Sequence, residues 1–208
     1  MNMRVLKHLG TALLLAGILA ILYPVYLSTH APQIQKTSQL QALLAWDGQP
    51  LVLQARAKES ECEINGPLPD ASCTPGAIFI DATKEAICVS GYTKTVRSVS
   101  SSLKKKVYAE YGITQTPEFG TYEVDHLIPL ALGGSNDIAN LFPEAASPAP
   151  GFKEKDVVEV YLQQEVCAGR VDLSVAQYQI ATNWVLIYNN LEPNIIRDIK
   201  NKYKSWAN

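Results

Sequence analysis

The stretch Tyr122–Asn140, YEVDHLIPLALGGSNDIAN, decides how the rest of the chain is read. Tyr122 and Val124 alternate with polar neighbours up to Asp125-His126. Leu127–Leu132 then form a second short apolar run, broken by Pro129 and followed by the turn residues Gly133-Gly134-Ser135-Asn136. The pattern predicts two short strands around a polar loop. A carboxylate beside an imidazole suits metal-assisted hydrolysis. The carboxylate offers a hard oxygen to a divalent cation, and an imidazole with an ordinary pKa of about 6.5 can take a proton from water near neutrality. Strand neighbours face opposite sides, so the pair serves one site only where the backbone bends, as at the end of a hairpin.

The chain has 208 residues, 47% of them hydrophobic, enough for one core of ordinary size plus an appendage. Of its three histidines, His8 and His30 lie in or beside the N-terminal apolar segment, which leaves His126 as the only imidazole beyond it. Arg4, Lys7 and the run Leu9–Leu27 read as a positive flank and a span near the short end of what a bilayer requires. An uncleaved anchor over residues 1–31 is preferred to a signal peptide, whose apolar region is usually shorter and whose small-residue cleavage pattern is weak here. Either reading puts the remainder outside the cytoplasm.

Cys62, Cys73, Cys88 and Cys167 are even in number and lack the close Cys-x-x-Cys spacing of a zinc ribbon. They suit two disulfides in an oxidising compartment, with Cys62–Cys73 and Cys88–Cys167 as the expected pairs. Sequence leaves all three connectivities open, and buried thiols are the competing reading.

Thr37 to Lys58 predicts a helix (Leu40, Leu43, Leu44), an Asp47-Gly48 turn and a strand over Leu51–Ala57, with Trp46 in the core. Glu59 to Gly76 is a linker-like stretch. Ala77–Asp81 and Ala86–Ser90 predict a first hairpin, and Leu103–Tyr111 a short helix ending at Gly112. Lys94, Arg97, Lys104, Lys105 and Lys106 make this region locally basic, with Tyr92, Tyr108 and Tyr111 among them. A phosphate-tracking surface and a solvated helix face explain it equally well, since the formal net charge is only -2. After the Ser147–Gly151 connector, a helix is expected from Lys153 to Ala168 with Val158, Tyr161, Leu162 and Val166 inward. A second opens at a capping box, Ser174-x-x-Gln177, with Ala176, Ile180, Trp184 and Tyr188 inward, and a third begins at Pro193 with Ile196, Ile199, Tyr203 and Trp206 on one side.

Asp125-His126, Pro129, Gly133-Gly134 and Asn140-Leu141, in this order and spacing, resemble the signature of the HNH, or ββα-metal, endonucleases. The resemblance extends loosely from about Thr74 to Tyr188. It implies an α+β fold, a hairpin-plus-helix core packed by C-terminal helices, to which the residue readings above add an N-terminal membrane helix and a small N-terminal α/β appendage. The segments are then 1–31, 32–75 and a nuclease domain at 76–208. It also implies a metal-dependent endonuclease of low sequence specificity, acting on DNA before RNA. Asp125 becomes the metal ligand, His126 the general base and Asn140 a brace for the loop, and a Leu127–Pro129 carbonyl is expected to fix the imidazole. The cation implied is Mg2+ first, with Mn2+, Ni2+ or Zn2+ as alternatives.

One departure stands out. The family places a second His or Asn ligand at the start of the following helix, near Lys153, and no histidine occurs there. Glu154, Asp156, Glu144 or water can coordinate instead, while Lys153 can only balance phosphate charge. The alternative function is therefore a catalytically weak or inactive module on the same scaffold, binding nucleic acid or protein at the membrane.

Overall fold

The computed structural model describes residues 54–203. The apolar run Leu9–Leu27, the expected helix from Thr37, residues 51–53 and Trp206 lie outside the described residues. Residues 54–57, the end of the expected first strand, form no ladder. Among the described residues no helix is long and apolar enough to cross a membrane.

The fold is α+β. Strand β1 (Tyr122–His126) pairs antiparallel with β2 (Leu141–Ala145), placing Asp125 opposite Phe142 and His126 opposite Leu141. The apolar run Leu127–Leu132 lies in the connection instead of a strand. Pro129 has no N–H to give a ladder, Leu130–Leu132 tighten into a 3-10 turn, and Gly133 closes it at φ +78°. Gly134 is required by crowding: a Cβ there would stand 1.7 Å from the Ile128 carbonyl oxygen.

Among the described residues three helices precede the hairpin: α1 (Lys84–Ile87), α2 (Tyr92–Val96) and α3 (Ser101–Glu110). The first hairpin expected at 77–90 does not form. Ile78 makes one isolated bridge to Gly134. The expected strand at Ala86–Ser90 is replaced at its start by a helical turn, because the Thr83 side chain accepts a hydrogen bond from the Ala86 N–H and starts α1. Ser100 caps α3 in the same way, through the Leu103 N–H.

Among the described residues three helices follow: α4 (Phe152–Cys167), α5 (Leu173–Asn190) and α6 (Pro193–Lys202). The capping box expected at Ser174 is displaced. Asp172 is the N-cap residue of α5, Ser174 lies within the first turn, and Gln177 instead donates to the Leu132 carbonyl at 2.8 Å.

Two apolar clusters flank the hairpin. The larger takes Val158, Leu162 and Val166 from α4, Ala176, Ile180 and Trp184 from α5, and Ile199 from α6. The 3.6-residue periodicity of α4 and α5 produces this face, and each fully buried aliphatic contributes about 1.5–3 kcal/mol. The smaller joins Val107 and Tyr111 of α3 to Leu141, Phe142 and the Cys62–Cys73 disulfide. Consecutive loop residues divide between them: Leu127 enters the smaller cluster and Ile128 the larger. Thr74 bonds Tyr111 at 2.7 Å and the Leu141 carbonyl at 3.1 Å, and Arg56 pairs with Glu110, so residues 56–74 are held against α3 and β2. The second disulfide, Cys88–Cys167, ties the end of α1 to the end of α4. Both pairs are those expected from the sequence.

Candidate active site

Asp125 and His126 close β1 where the chain leaves the ladder. The turn is held by Asn140, which is fully buried. Its Oδ1 accepts from the Ile128 N–H at 2.9 Å, and its Nδ2 donates to the carbonyls of Ile128 and Ser135, both at 2.9 Å. One amide thus satisfies three backbone groups in a loop that has no ladder of its own. Asp137, a turn residue, accepts from the Ala139 N–H at 2.8 Å.

His126 is 3% exposed, and its Nε2 lies 3.3 Å from the Asn136 Oδ1. This partner was not legible in the sequence, which pointed to a Leu127–Pro129 carbonyl. The difference fixes the tautomer. Asn136 donates through Nδ2 to the Val96 carbonyl at 2.7 Å, and its Oδ1 accepts from the Ser98 N–H at 3.1 Å. Those two backbone partners set which way the amide faces, so its oxygen points at the ring and Nε2 must carry the proton. Nδ1 is left with a lone pair. Burial pushes the His126 pKa down, against the opposing pull of Asp125 and the Asn136 bond, and the ring is neutral at pH 7.

The Asp125 carboxylate meets a cation that the sequence reading did not single out. Lys155, on the first turns of α4, has no exposed surface. Its Nζ lies 2.7 Å from Asp125 Oδ2, 2.6 Å from Glu159 Oε1, 2.8 Å from the His126 carbonyl oxygen and 3.8 Å from Glu144 Oε2. Burial alone would raise the Asp125 carboxyl, but the Lys155 ammonium and a proton shared with Glu144 reverse this and hold it at about 2. Burial lowers the ammonium less than the surrounding carboxylates raise it, so Lys155 stays charged. Glu144, 1% exposed and 3.8 Å from the Lys155 ammonium, is pushed well above the usual carboxylate range by burial.

Around this pair the acids exceed the positive charge. Burial and the nearby carboxylates of Glu159 and Asp125 push Asp156 up to about 8. Burial, opposed by Lys155, leaves Glu159 at about 7. Burial and Asp125 also raise Glu123. The Asp125 and Glu159 side chains keep 22% and 17% of their surface open, while Lys155 and Glu144 lie beneath.

The other expected residues divide. Glu154 is not at the site: it caps α4 through the Gly151 N–H at 3.0 Å and lies 3.4 Å from Lys200. Lys153 is exposed one turn outside, where its charge acts on Glu123, as do those of Lys104 and Arg97. Arg97 also acts on His126 and Glu159. Lys106 faces elsewhere, 3.8 Å from Glu110, and Lys94 and Lys105 are exposed. The basic rim beside Glu123 is therefore Arg97, Lys104 and Lys153, of which Arg97 also reaches the imidazole.

Among the described residues no three His, Cys, Asp or Glu side chains form a group ready to hold a metal ion. Magnesium needs no such cage, since it binds through one or two carboxylates and retains water. The donor set suits it: hard carboxylate oxygens, partly open, carrying more acid than one ammonium balances. Asp125 and Asp156, the second of which feels the charge of the first, are the carboxylates that would hold it, and the single imidazole makes the set a poor match for zinc. Comparison of the chain with protein-family models, curated proteins and solved structures finds no match.

Proposed function

We propose that this chain is a metal-dependent endonuclease of the HNH, or ββα-metal, type, hydrolysing phosphodiester bonds of nucleic acid, DNA before RNA, with low sequence specificity. The observation that carries the reading is the fixed His126 tautomer: Asn136 Oδ1 accepts a hydrogen bond from the Nε2–H, and Nδ1 keeps a lone pair. The order strand, loop, strand, helix, with Asp125-His126 ending the first strand, supports it.

In the mechanism, His126 Nδ1 takes a proton from water, and the oxygen attacks phosphorus in line with the departing 3′ oxygen. Asn136 holds the imidazole through that transfer and stabilises the charged ring that results. Asp125 and Asp156 would hold the divalent cation, Mg2+ or Mn2+, whose chemistry there is to neutralise charge on the phosphate and the leaving oxygen. Lys155 keeps Asp125 ionised and, through the His126 carbonyl, fixes the backbone between the two side chains. Arg97, Lys104 and Lys153 offer charge to the flanking phosphates without reading bases. The two disulfides favour an oxidising compartment, in keeping with an anchored or secreted chain whose folded part lies outside the cytoplasm.

A second reading rests on Lys155. Its ammonium already neutralises Asp125, and a chain that binds nucleic acid without turnover needs nothing more. Plasmid nicking separates the two. The purified protein is expected to nick supercoiled DNA with Mg2+ or Mn2+, to stop with EDTA, and to slow by roughly 10²–10⁴-fold as His126→Ala. Undiminished cleavage by His126→Ala removes the endonuclease mechanism, and binding without cleavage under every metal selects the second reading.

A further inference from the structure

A cleft of about 400 Å³ is lined by Phe79, Asp81, Tyr92, Val96, Ser98 and Asn136 among others. It shares a wall with the candidate site, because Asn136 binds His126 on one side and the 96–98 backbone on the other. Phe79 is half-buried yet belongs to neither apolar cluster, so packing does not account for its ring. Tyr92 faces the same space, near the Asp81 carboxylate. Ile80, next to Phe79 in sequence, is 98% exposed. Arg97 lies between two lining residues, Val96 and Ser98, and its charge reaches His126.

Two aromatic side chains with hydrogen-bonding groups at the edge, an arginine beside them and an imidazole one amide away form an ordered series. It matches base, phosphate and scissile bond along one strand. We propose that the Phe79–Tyr92 cleft seats an unpaired nucleobase, so that the preferred substrate is single-stranded or locally unpaired nucleic acid. The inference deepens the phosphodiesterase reading and rests on it for the chemistry, though not for the binding. A base inside a duplex has its faces covered and must be unstacked first, at a cost a single strand does not carry. Aromatic stacking accepts every base, because each has a π-face. Asp81 and Ser98 add acceptors at the cleft edge without enforcing one sequence.

The test uses the full-length protein in EDTA, where binding is read without turnover. The probe is a short single-stranded DNA carrying one 2-aminopurine, alone and annealed to its complement. Anisotropy gives affinity, and 2-aminopurine emission reports stacking. The single strand is expected to bind more tightly than the duplex and to lose emission on binding. Phe79→Ala and Tyr92→Ala should each weaken single-strand binding roughly tenfold, and Phe79→Trp should retain it. Circular dichroism confirms folding, and since Phe79 lies outside both clusters, its variants carry the test if Tyr92→Ala unfolds. Single-strand affinity unchanged in Phe79→Ala, or binding with unaltered emission, overturns the inference, and so does binding of proteins but no oligonucleotide. Plasmid cleavage that ignores Phe79 removes the cleft alone. Emission quenched in a protein that never cleaves removes only the hydrolytic reading.

Discussion

A lysine with no exposed surface sits 2.7 Å from one carboxylate and 2.6 Å from another, and it determines the electrostatics of the residues around it. Removing one member of a buried ion pair leaves the partner uncompensated, which costs about 3–5 kcal/mol. Lys155→Met, similar in length and uncharged, should lower unfolding free energy by about that amount in urea titrations, although it adds no cavity. A variant as stable as the parent would mean that Asp125 and Glu159 find other partners. Asp125-His126 was legible because the pair is adjacent and ends an alternating run. Lys155 was not, since Lys and Glu four apart on a helix usually signal a solvated pair, and only the tertiary fold turns this one inward. Asn136 was hidden for a related reason: after Gly-Gly-Ser it reads as a turn residue, and its partners Val96 and Ser98 lie far away in sequence.

The hairpin is an element whose loop outweighs its ladder. Two five-residue strands pair, but the connection between them depends on the three side-chain bonds of Asn140 and the crowded Gly134. Asn140→Ala leaves one N–H and two carbonyls unpaired in a buried loop and should cost about 3 kcal/mol. Asn140→Asp is almost the same shape but turns an oxygen toward the carbonyls of Ile128 and Ser135, so it should destabilise at least as much. A tolerated aspartate would show that Asn140 acts by volume and not by hydrogen bonding; urea midpoints of both variants decide. The later helices were legible because their apolar spacing is regular and Pro193 marks a start. The region before β1 was not. Ala86-Ile87-Cys88-Val89 looks like a strand, and the cap at Thr83 outweighs it locally. Pro143 argues against strand β2 from sequence alone, yet in a two-stranded sheet each strand has an open edge where a missing N–H goes unnoticed.

At the scale of the molecule, the acids around Lys155 set a stability optimum. Asp125, held at about 2, contributes stability that is complete above its ordinary value near 3.8 and is lost as pH falls toward 2. His126 acts in the same direction: its lowered pKa gives stability that is full above about 6.5 and declines below it. Asp156 and Glu159 work in the opposite sense. Their raised values, about 8 and about 7, leave stability full below the ordinary values of 3.8 and 4.5, and it is lost as pH rises from there through about 8 and about 7. In EDTA, thermal unfolding should therefore show Tm falling on both limbs, with the alkaline decline beginning above the ordinary carboxylate range near pH 4 and levelling off near 7–8, where Glu159 and Asp156 ionise in the fold. Mg2+ should restore Tm mainly on that limb. A Tm that keeps climbing through pH 8 without metal would contradict the crowding of these carboxylates.

Both covalent links lie in series along the chain: 62 to 73, then 88 to 167, neither enclosing nor crossing the other. A polypeptide emerging from its amino end into an oxidising space shows its thiols as consecutive couples, the first able to join before the third appears. Mispairing is thus disfavoured by order of arrival, before any packing exists to correct it.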